Sequence, residues 1–416
     1  MLLIMATSLF FLGCDQGQSD PAEETIFSEV TFLFSMTPEE INAIGFPVTA
    51  SAPINFYRVT YNSVNSDGSP VVVSGAMALP QNPISQLPLV SYQHATLVRR
   101  QETASFAGMN NFEAAIAVLY ASTGHAAIMP DYLGMGVDDT QLHPYVHAST
   151  LASASRDMIL GMFQWALSEG IPLNGEVLLN GYSEGGYATL ALQRLLQNEN
   201  PEVNVVASAP MAGPYHVSRL TQQQLLADQE TERAYMVPYL ILAYNQEYNF
   251  SSDLSTFFKA PYASTIPGLY NGMTRAEDIN AALPSRPSEM LTASFIAEVT
   301  GTSGTSAIRS ALEANNLHEG WAPSAPTKFF HCATDELVNV ENAQSAYDNF
   351  NAAGSPVEIR IFPSGDHVSC AGGAIVEAKY WFDTKLGKTG ASPMDQAAWV
   401  AFFDELQGAP TATQGK

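Results

Sequence analysis

The chain has 416 residues. A single hydrophobic core stops growing at roughly 250–300, so a main domain carrying an added lobe is expected. Apolar residues make up 46% and charged residues 14%, which excludes a disordered polymer, and 41 Asp and Glu against 17 Lys and Arg give a net charge of −24. Such an acidic surface excludes nucleic acid and anionic lipid headgroups as partners.

From the N-terminus, Leu2 to Gly13 form an uncharged apolar run that ends at Cys14. Twelve residues are too few to span a bilayer, which takes about 20, but they suit a cleaved export signal. Residues 1–13 therefore read as a signal peptide. Gly13 before Cys14 resembles a bacterial lipoprotein site, which implies lipidation and membrane attachment through Cys14. The expected location is periplasmic, cell-surface or secreted. Residues 14–30 read as an acidic tether, since Asp15 to Thr25 is polar and without periodicity.

The region Phe56 to Pro80 has two β-rich runs around Asn65-Ser66-Asp67-Gly68, a hairpin signal. Short apolar runs then alternate with amphipathic stretches. The runs are Leu87–Tyr92, Ala126–Met129, Glu176–Asn180, Val203–Ala209, Lys328–His331 and Val357–Phe362. The stretches Asn111–Ser122, Ser149–Ser168 and Tyr187–Gln197 suit helices between the first four. Buried strands separated by helices predict an α/β fold with a mainly parallel central sheet covered on both faces. From about Tyr215 to Thr327 the periodicity is helical, and a structureless loop of that length is uncommon. This predicts an inserted helical cap over 215–326, dividing a catalytic domain into 31–214 and 327–416.

Gly181-Tyr182-Ser183-Glu184-Gly185 fits G-x-S-x-G, with a strand predicted before it and a helix after it. A nucleophilic serine needs such a sharp turn to present its Oγ, and small neighbours to tolerate it. The Glu184 amide, at a helix N-terminus, is one candidate donor to a developing oxyanion. The loop Ser91-Tyr92-Gln93-His94-Ala95-Thr96 supplies the second, from the amide of His94 or Ala95. The His94 ring itself reads as bonded to backbone. A base must follow the acid in chain order. His367 lies in a loop just past the last predicted strand, whereas His331 sits within an apolar strand and reads as a packed residue. Asp335, in the turn after that strand, is the candidate acid; Glu336 and Asp366 are rivals. Asp335 would fix the His367 tautomer so that the ring takes the Ser183 proton.

These residues resemble the α/β-hydrolase fold secretory lipases and esterases, including the Candida lipase A-like family. The matching pieces are the Ser91–Thr96 loop, Pro130-Asp131-Tyr132-Leu133-Gly134-Met135-Gly136, the serine turn, His331-Cys332-Ala333-Thr334-Asp335-Glu336 and Gly365-Asp366-His367. The resemblance implies hydrolysis of a small-molecule or lipid ester through an acyl-enzyme, beneath a helical cap. Alternatives are a prolyl oligopeptidase-type serine peptidase and a non-catalytic binding protein on the same scaffold.

Besides Cys14, the cysteines are Cys332, three residues before the candidate acid, and Cys370, three after the candidate base. An exported chain would keep a bridge between them. His143 and His147, spaced i, i+4 near Asp138 and Asp139, sketch a metal site without a clear third ligand, so packing is preferred and no metal is assigned. No phosphate loop or dinucleotide fingerprint occurs, and no cofactor is expected. Tyr235–Tyr244 and Phe257–Tyr270 read as helix-packing surface and as the lining of an acyl-chain site.

Overall fold

The computed structural model describes residues 25–45, 48–301 and 306–388. The signal peptide, Cys14 and most of the tether lie outside them. Strand β1 (Phe27–Met36) leads through the short helix α1 (Pro38–Ala43) into the hairpin β2 (Ile54–Val64) and β3 (Pro70–Pro80). The predicted tether end at residue 30 is therefore too late, because Phe27 already pairs with Tyr61 of β2. Phe27 anchors this edge by burying its ring against Tyr61 and Trp165.

Strand β4 (Leu87–Gln93), helices α2 (Ala104–Ala107) and α3 (Ala114–Ser122), strand β5 (Ala126–Pro130) and helix α4 (Ala148–Glu169) follow. Helix α3 starts three residues later than its predicted start at Asn111. The Asn111 side chain instead accepts the N–H groups of Glu113 and Ala114 at 2.7 and 3.2 Å, which begins the helix after it. Next come β6 (Leu173–Tyr182), α5 (Glu184–Glu199) and β7 (Asn204–Met211). After the long helical segment, the chain returns as β8 (Thr327–Cys332), α13 (Glu341–Ala352), β9 (Val357–Phe362) and α14 (Cys370–Lys385).

Among the described residues these strands form one nine-stranded sheet in the order β1-β2-β3-β5-β4-β6-β7-β8-β9. Pairing is antiparallel from β1 to β5 and parallel from β5 onward. One face packs Phe56, Tyr92, Phe330 and Phe362 against α3 and α14; the other packs Val73, Leu89 and Leu179 against α4 and α5. Burial on both faces explains why β4, β5 and the later half of β6 read as continuous apolar runs. The parallel strands all end on one rim, which places the loops after β4, β6, β8 and β9 side by side.

Between β7 and β8 lie α6 (Val217–Ala227), α7 (Met236–Tyr248), α8 (Tyr262–Leu269), α9 (Ala276–Ala281), α10 (Pro287–Met290), α11 (Ala293–Thr300) and α12 (Ala307–Ala314). The segment closes on itself: the amides of Leu317 and His318 both donate to the Tyr215 carbonyl, at 2.8 and 3.1 Å. Phe257, Phe258, Ile266, Met290 and Leu291 are buried within it, so the segment has an apolar core of its own, continuous with the faces of α5 and α13.

Candidate active site

Strand β6 delivers Ser183 to the rim, and α5 starts at the very next residue, Glu184, rather than at Tyr187 as predicted. Ser183 has φ +59°, the left-handed region that a side chain seldom adopts. Small neighbours make this turn feasible. A Cβ on Gly185 would stand 1.9 Å from the Gln93 carbonyl oxygen, and one on Gly181 would stand 2.4 Å from the Gly185 oxygen. Neither backbone oxygen can move aside cheaply, so both glycines are required and the β4 loop lies directly against the turn.

The sequence-predicted trio comes together on this rim. Ser183 Oγ is 2.8 Å from His367 Nε2, and His367 Nδ1 is 2.7 Å from Asp335 Oδ2. The residues lie 184 and 32 positions apart in sequence. All three are buried, with Ser183 8% exposed. Asp335 Oδ1 accepts the amides of Leu337 and Val338 at 3.0 and 2.8 Å. Burial opposes ionisation of Asp335, but the hydrogen bonds from His331 and His367 and the proximity of those rings outweigh it. They hold the carboxyl below the usual carboxylate range.

The rival acids have other partners. Glu336 accepts the backbone N–H of His367 at 2.9 Å, and Asp366 accepts the amides of Val368 and Ser369 before α14. Further contacts hold the His367 loop. Tyr182 donates its hydroxyl to the His367 carbonyl at 2.6 Å, Thr334 bonds the Gly365 carbonyl at 2.9 Å, and Cys332 is disulfide-bonded to Cys370. The bridge joins the loop of Asp335 to that of His367.

His331 is packed, as expected, but its role is larger than packing. Its Nε2 bonds the Val338 carbonyl at 2.7 Å and reaches Asp335 Oδ2 at 3.3 Å. Two histidines therefore face one carboxylate oxygen. The i, i+4 spacing of His331 and Asp335 was the signal in the sequence.

The β4 loop departs from expectation at Ala95. Its amide donates to the buried Glu113 carboxylate, at 3.1 and 3.2 Å to the two oxygens, and Glu113 also accepts the Tyr92 hydroxyl at 2.8 Å. An amide so committed is not available to an oxyanion, which removes Ala95 as a donor. Burial raises the Glu113 carboxyl above its ordinary range, with the hydrogen bonds opposing. The His94 ring bonds the carbonyls of Ala95 and Asp131, at 2.7 and 3.2 Å, as the sequence reading preferred. Tyr132 donates to the His94 carbonyl at 3.1 Å and fixes that peptide. Nothing in the sequence near position 95 announced Glu113.

The four residues that sketched a metal site are dispersed among other bonds. His143 pairs with Glu184, His147 bonds Thr150 Oγ1 at 3.1 Å, Asp138 accepts the Gly134 amide at 2.7 Å, and Asp139 is exposed. Among the described residues no group of three or more His, Cys, Asp or Glu side chains could hold a metal ion.

An apolar cavity opens at Ser183 and Glu184. It runs between the rim and the helical segment, lined by Leu225, Leu240, Phe257, Phe295 and Leu312, with Tyr145 and Val146 at its side.

The family model for secretory lipases matches residues 108–391. No curated protein matches the sequence. A solved structure from Legionella pneumophila subsp. pneumophila is similar at 26% identity and TM-score 0.81, covering 88% of this chain and 100% of that one. The rice cell wall degrading esterase LipA from Xanthomonas oryzae is similar at 25% identity and TM-score 0.79, covering 87% and 99%. Candida antarctica lipase A in its closed state shares the fold at 16% identity and TM-score 0.64, covering 90% of each chain. Matched by the family model over well more than half its length, the chain belongs to the secretory lipase family and is a carboxylic-ester hydrolase of the α/β-hydrolase fold.

Proposed function

We propose that the protein is an exported lipase or esterase working through Ser183, His367 and Asp335. Ser183 Oγ attacks the ester carbonyl carbon while His367 Nε2 takes its proton, and the same proton passes to the departing alcohol. Water, activated by His367 in turn, cleaves the acyl-enzyme to give the carboxylate. Asp335 keeps the Nδ1 proton in place and balances the charge that His367 acquires. The amides of Glu184 and His94 hold the oxyanion. The observation that carries this reading is the continuous chain of contacts from Asp335 through His367 to Ser183, at 2.7 and 2.8 Å, opening on an apolar cavity.

The segment 215–326 acts as a cap, and the apolar cavity beneath it receives the acyl chain. Export is supported by the Cys332–Cys370 disulfide, which suits an oxidising compartment, and by the apolar run before Cys14. Among the described residues no helix is long and apolar enough to cross a membrane. Lipidation at Cys14 would supply an anchor. The test is a panel of p-nitrophenyl esters of increasing chain length beside proline-containing peptide nitroanilides. Turnover of the esters alone is expected. Preferential cleavage of the peptides would replace this reading with a peptidase, and no turnover of either would favour a binding protein.

A further inference from the structure

The oxyanion amide belongs to a residue whose own side chain is a buried carboxylate. Glu184 is 1% exposed and lies beside the nucleophile, where negative charge develops during the reaction. An unpaired carboxylate there would oppose the transition state that its own amide stabilises. The structure resolves this conflict through His143, a residue 41 positions away that the triad does not use.

Glu184 Oε1 lies 2.9 Å from His143 Nε2 and accepts the Val146 amide at 3.1 Å. The other ring nitrogen of His143, Nδ1, lies 2.7 Å from the Leu133 carbonyl oxygen and must therefore carry a proton. With Nδ1 protonated, a bare Nε2 facing a bare carboxylate oxygen would set two lone pairs against each other in a buried site. The contact holds only if one proton is shared between Nε2 and Oε1. Whichever atom carries that proton, the pair is neutral overall.

The surroundings fix the ring. Tyr132 and Tyr239 flank it with centroids 5.7 and 6.1 Å away, and Gly134 packs so closely on the His143 backbone that a Cβ there would stand 2.4 Å from its main-chain nitrogen. Val146 has φ +54°, a conformation that a β-branched residue rarely adopts, and its amide is the one given to Glu184.

We propose that His143 is a positioning residue for ester hydrolysis: by pairing with the Glu184 carboxyl it removes the charge beside the oxyanion and fixes the peptide whose N–H holds it. The proposal rests on the reading of Ser183 as nucleophile and the Glu184 amide as oxyanion donor. Removing a whole oxyanion donor lowers turnover about 10²–10³-fold. Leaving the donor in place but opposed by a neighbouring charge is expected to cost about 10- to 100-fold.

The experiment is a double-mutant cycle on the full chain with H143L, E184Q and H143L/E184Q, using p-nitrophenyl butyrate. Rates are normalised to active sites titrated with a fluorophosphonate, so that only folded molecules are counted. H143L should lose about 10- to 100-fold in kcat with KM within about threefold. E184Q, which removes the charge at constant bulk, should lose less. The double variant should recover most of the H143L loss, because no buried carboxylate is left to neutralise. A double variant as slow as H143L, or an H143L enzyme with wild-type kcat, overturns the proposal. If H143L gives no titratable sites, H143Q is read in the same cycle with the same two criteria. S183A, run in parallel and read per mole of protein, separates the two levels: retained turnover in S183A refutes the nucleophile assignment itself.

Discussion

Replacing Asp335 by Asn changes one atom and tests how the base is held. Asp335 Oδ1 accepts the amides of Leu337 and Val338, whereas Oδ2 faces His367 Nδ1 at 2.7 Å and His331 Nε2 at 3.3 Å. An asparagine keeps its carbonyl toward the two amides and turns its NH2 toward His367. The imidazole then has to accept at Nδ1 and carry its proton on Nε2, pointing at Ser183, where it cannot act as a base. In serine hydrolases this tautomer change lowers kcat about 10⁴-fold, or about 5.4 kcal/mol at about 1.36 kcal/mol per decade. The assay is stopped-flow hydrolysis of p-nitrophenyl butyrate at pH 7, with the rate of fluorophosphonate labelling as a second readout. Both should fall together. The neighbouring E336Q, which alters only the acceptor for the His367 backbone N–H, should lose less than tenfold. A D335N enzyme within tenfold of wild type, or an E336Q loss equal to that of D335N, would refute the assignment of the acid.

Because the folded Asp335 carboxyl is held below the ordinary value near 3.9, its contribution to stability is present above about pH 4 and is lost as pH falls through the lower folded value. Urea unfolding should show the difference between wild type and D335N narrowing below about pH 4. The His216 ring stacks on His318 at 3.6 Å, and burial, His318 and Arg219 hold its imidazole down to about 4. An unfolded histidine titrates near 6.5, so the unfolded chain gains the proton first and stability should fall as pH drops from about 6.5 to 4. A plot of Tm against pH should be flatter over that window in H216F; an equal slope would contradict the sign. The Cys332–Cys370 bridge closes a span of 38 residues, so C332S/C370S should lose up to about 4 kcal/mol of unfolding free energy and slow turnover by loosening the His367 loop. L240W, which narrows the cavity, should lower the decanoate-to-acetate ratio of kcat/KM about tenfold, and an unchanged ratio would place the acyl chain elsewhere.

The elements read most directly from the sequence are those whose burial is local. The six predicted apolar runs overlap β4 to β9, and Asn65 to Gly68 lie in the connection between β2 and β3. The serine turn was visible because a strained backbone restricts which residues can stand at Gly181 and Gly185. Strand β1 escaped notice although Phe27-Ser28-Glu29-Val30-Thr31-Phe32 is rich in β-formers. It follows an acidic stretch and lies at the sheet edge with Phe32 exposed, so its alternation is weak. Contacts made by topology alone were not legible. Glu113 meets Ala95, and His143 meets Glu184, because parallel strands deliver distant loops to one rim. Composition and spacing carry no register for such meetings. The Ala95 amide shows the consequence: its loop is legible in the sequence, but the Glu113 carboxylate that takes its N–H is not.

Everything proposed for the reaction depends on Ser183 Oγ being the atom that carries the acyl group. The direct measurement is intact-mass and peptide mapping of the protein after reaction with a fluorophosphonate, in wild type, S183A and H367Q. Wild type should gain one adduct, on the peptide containing Ser183; H367Q should react far more slowly, and S183A not at all. An adduct on another residue, or full labelling of S183A, would contradict the account.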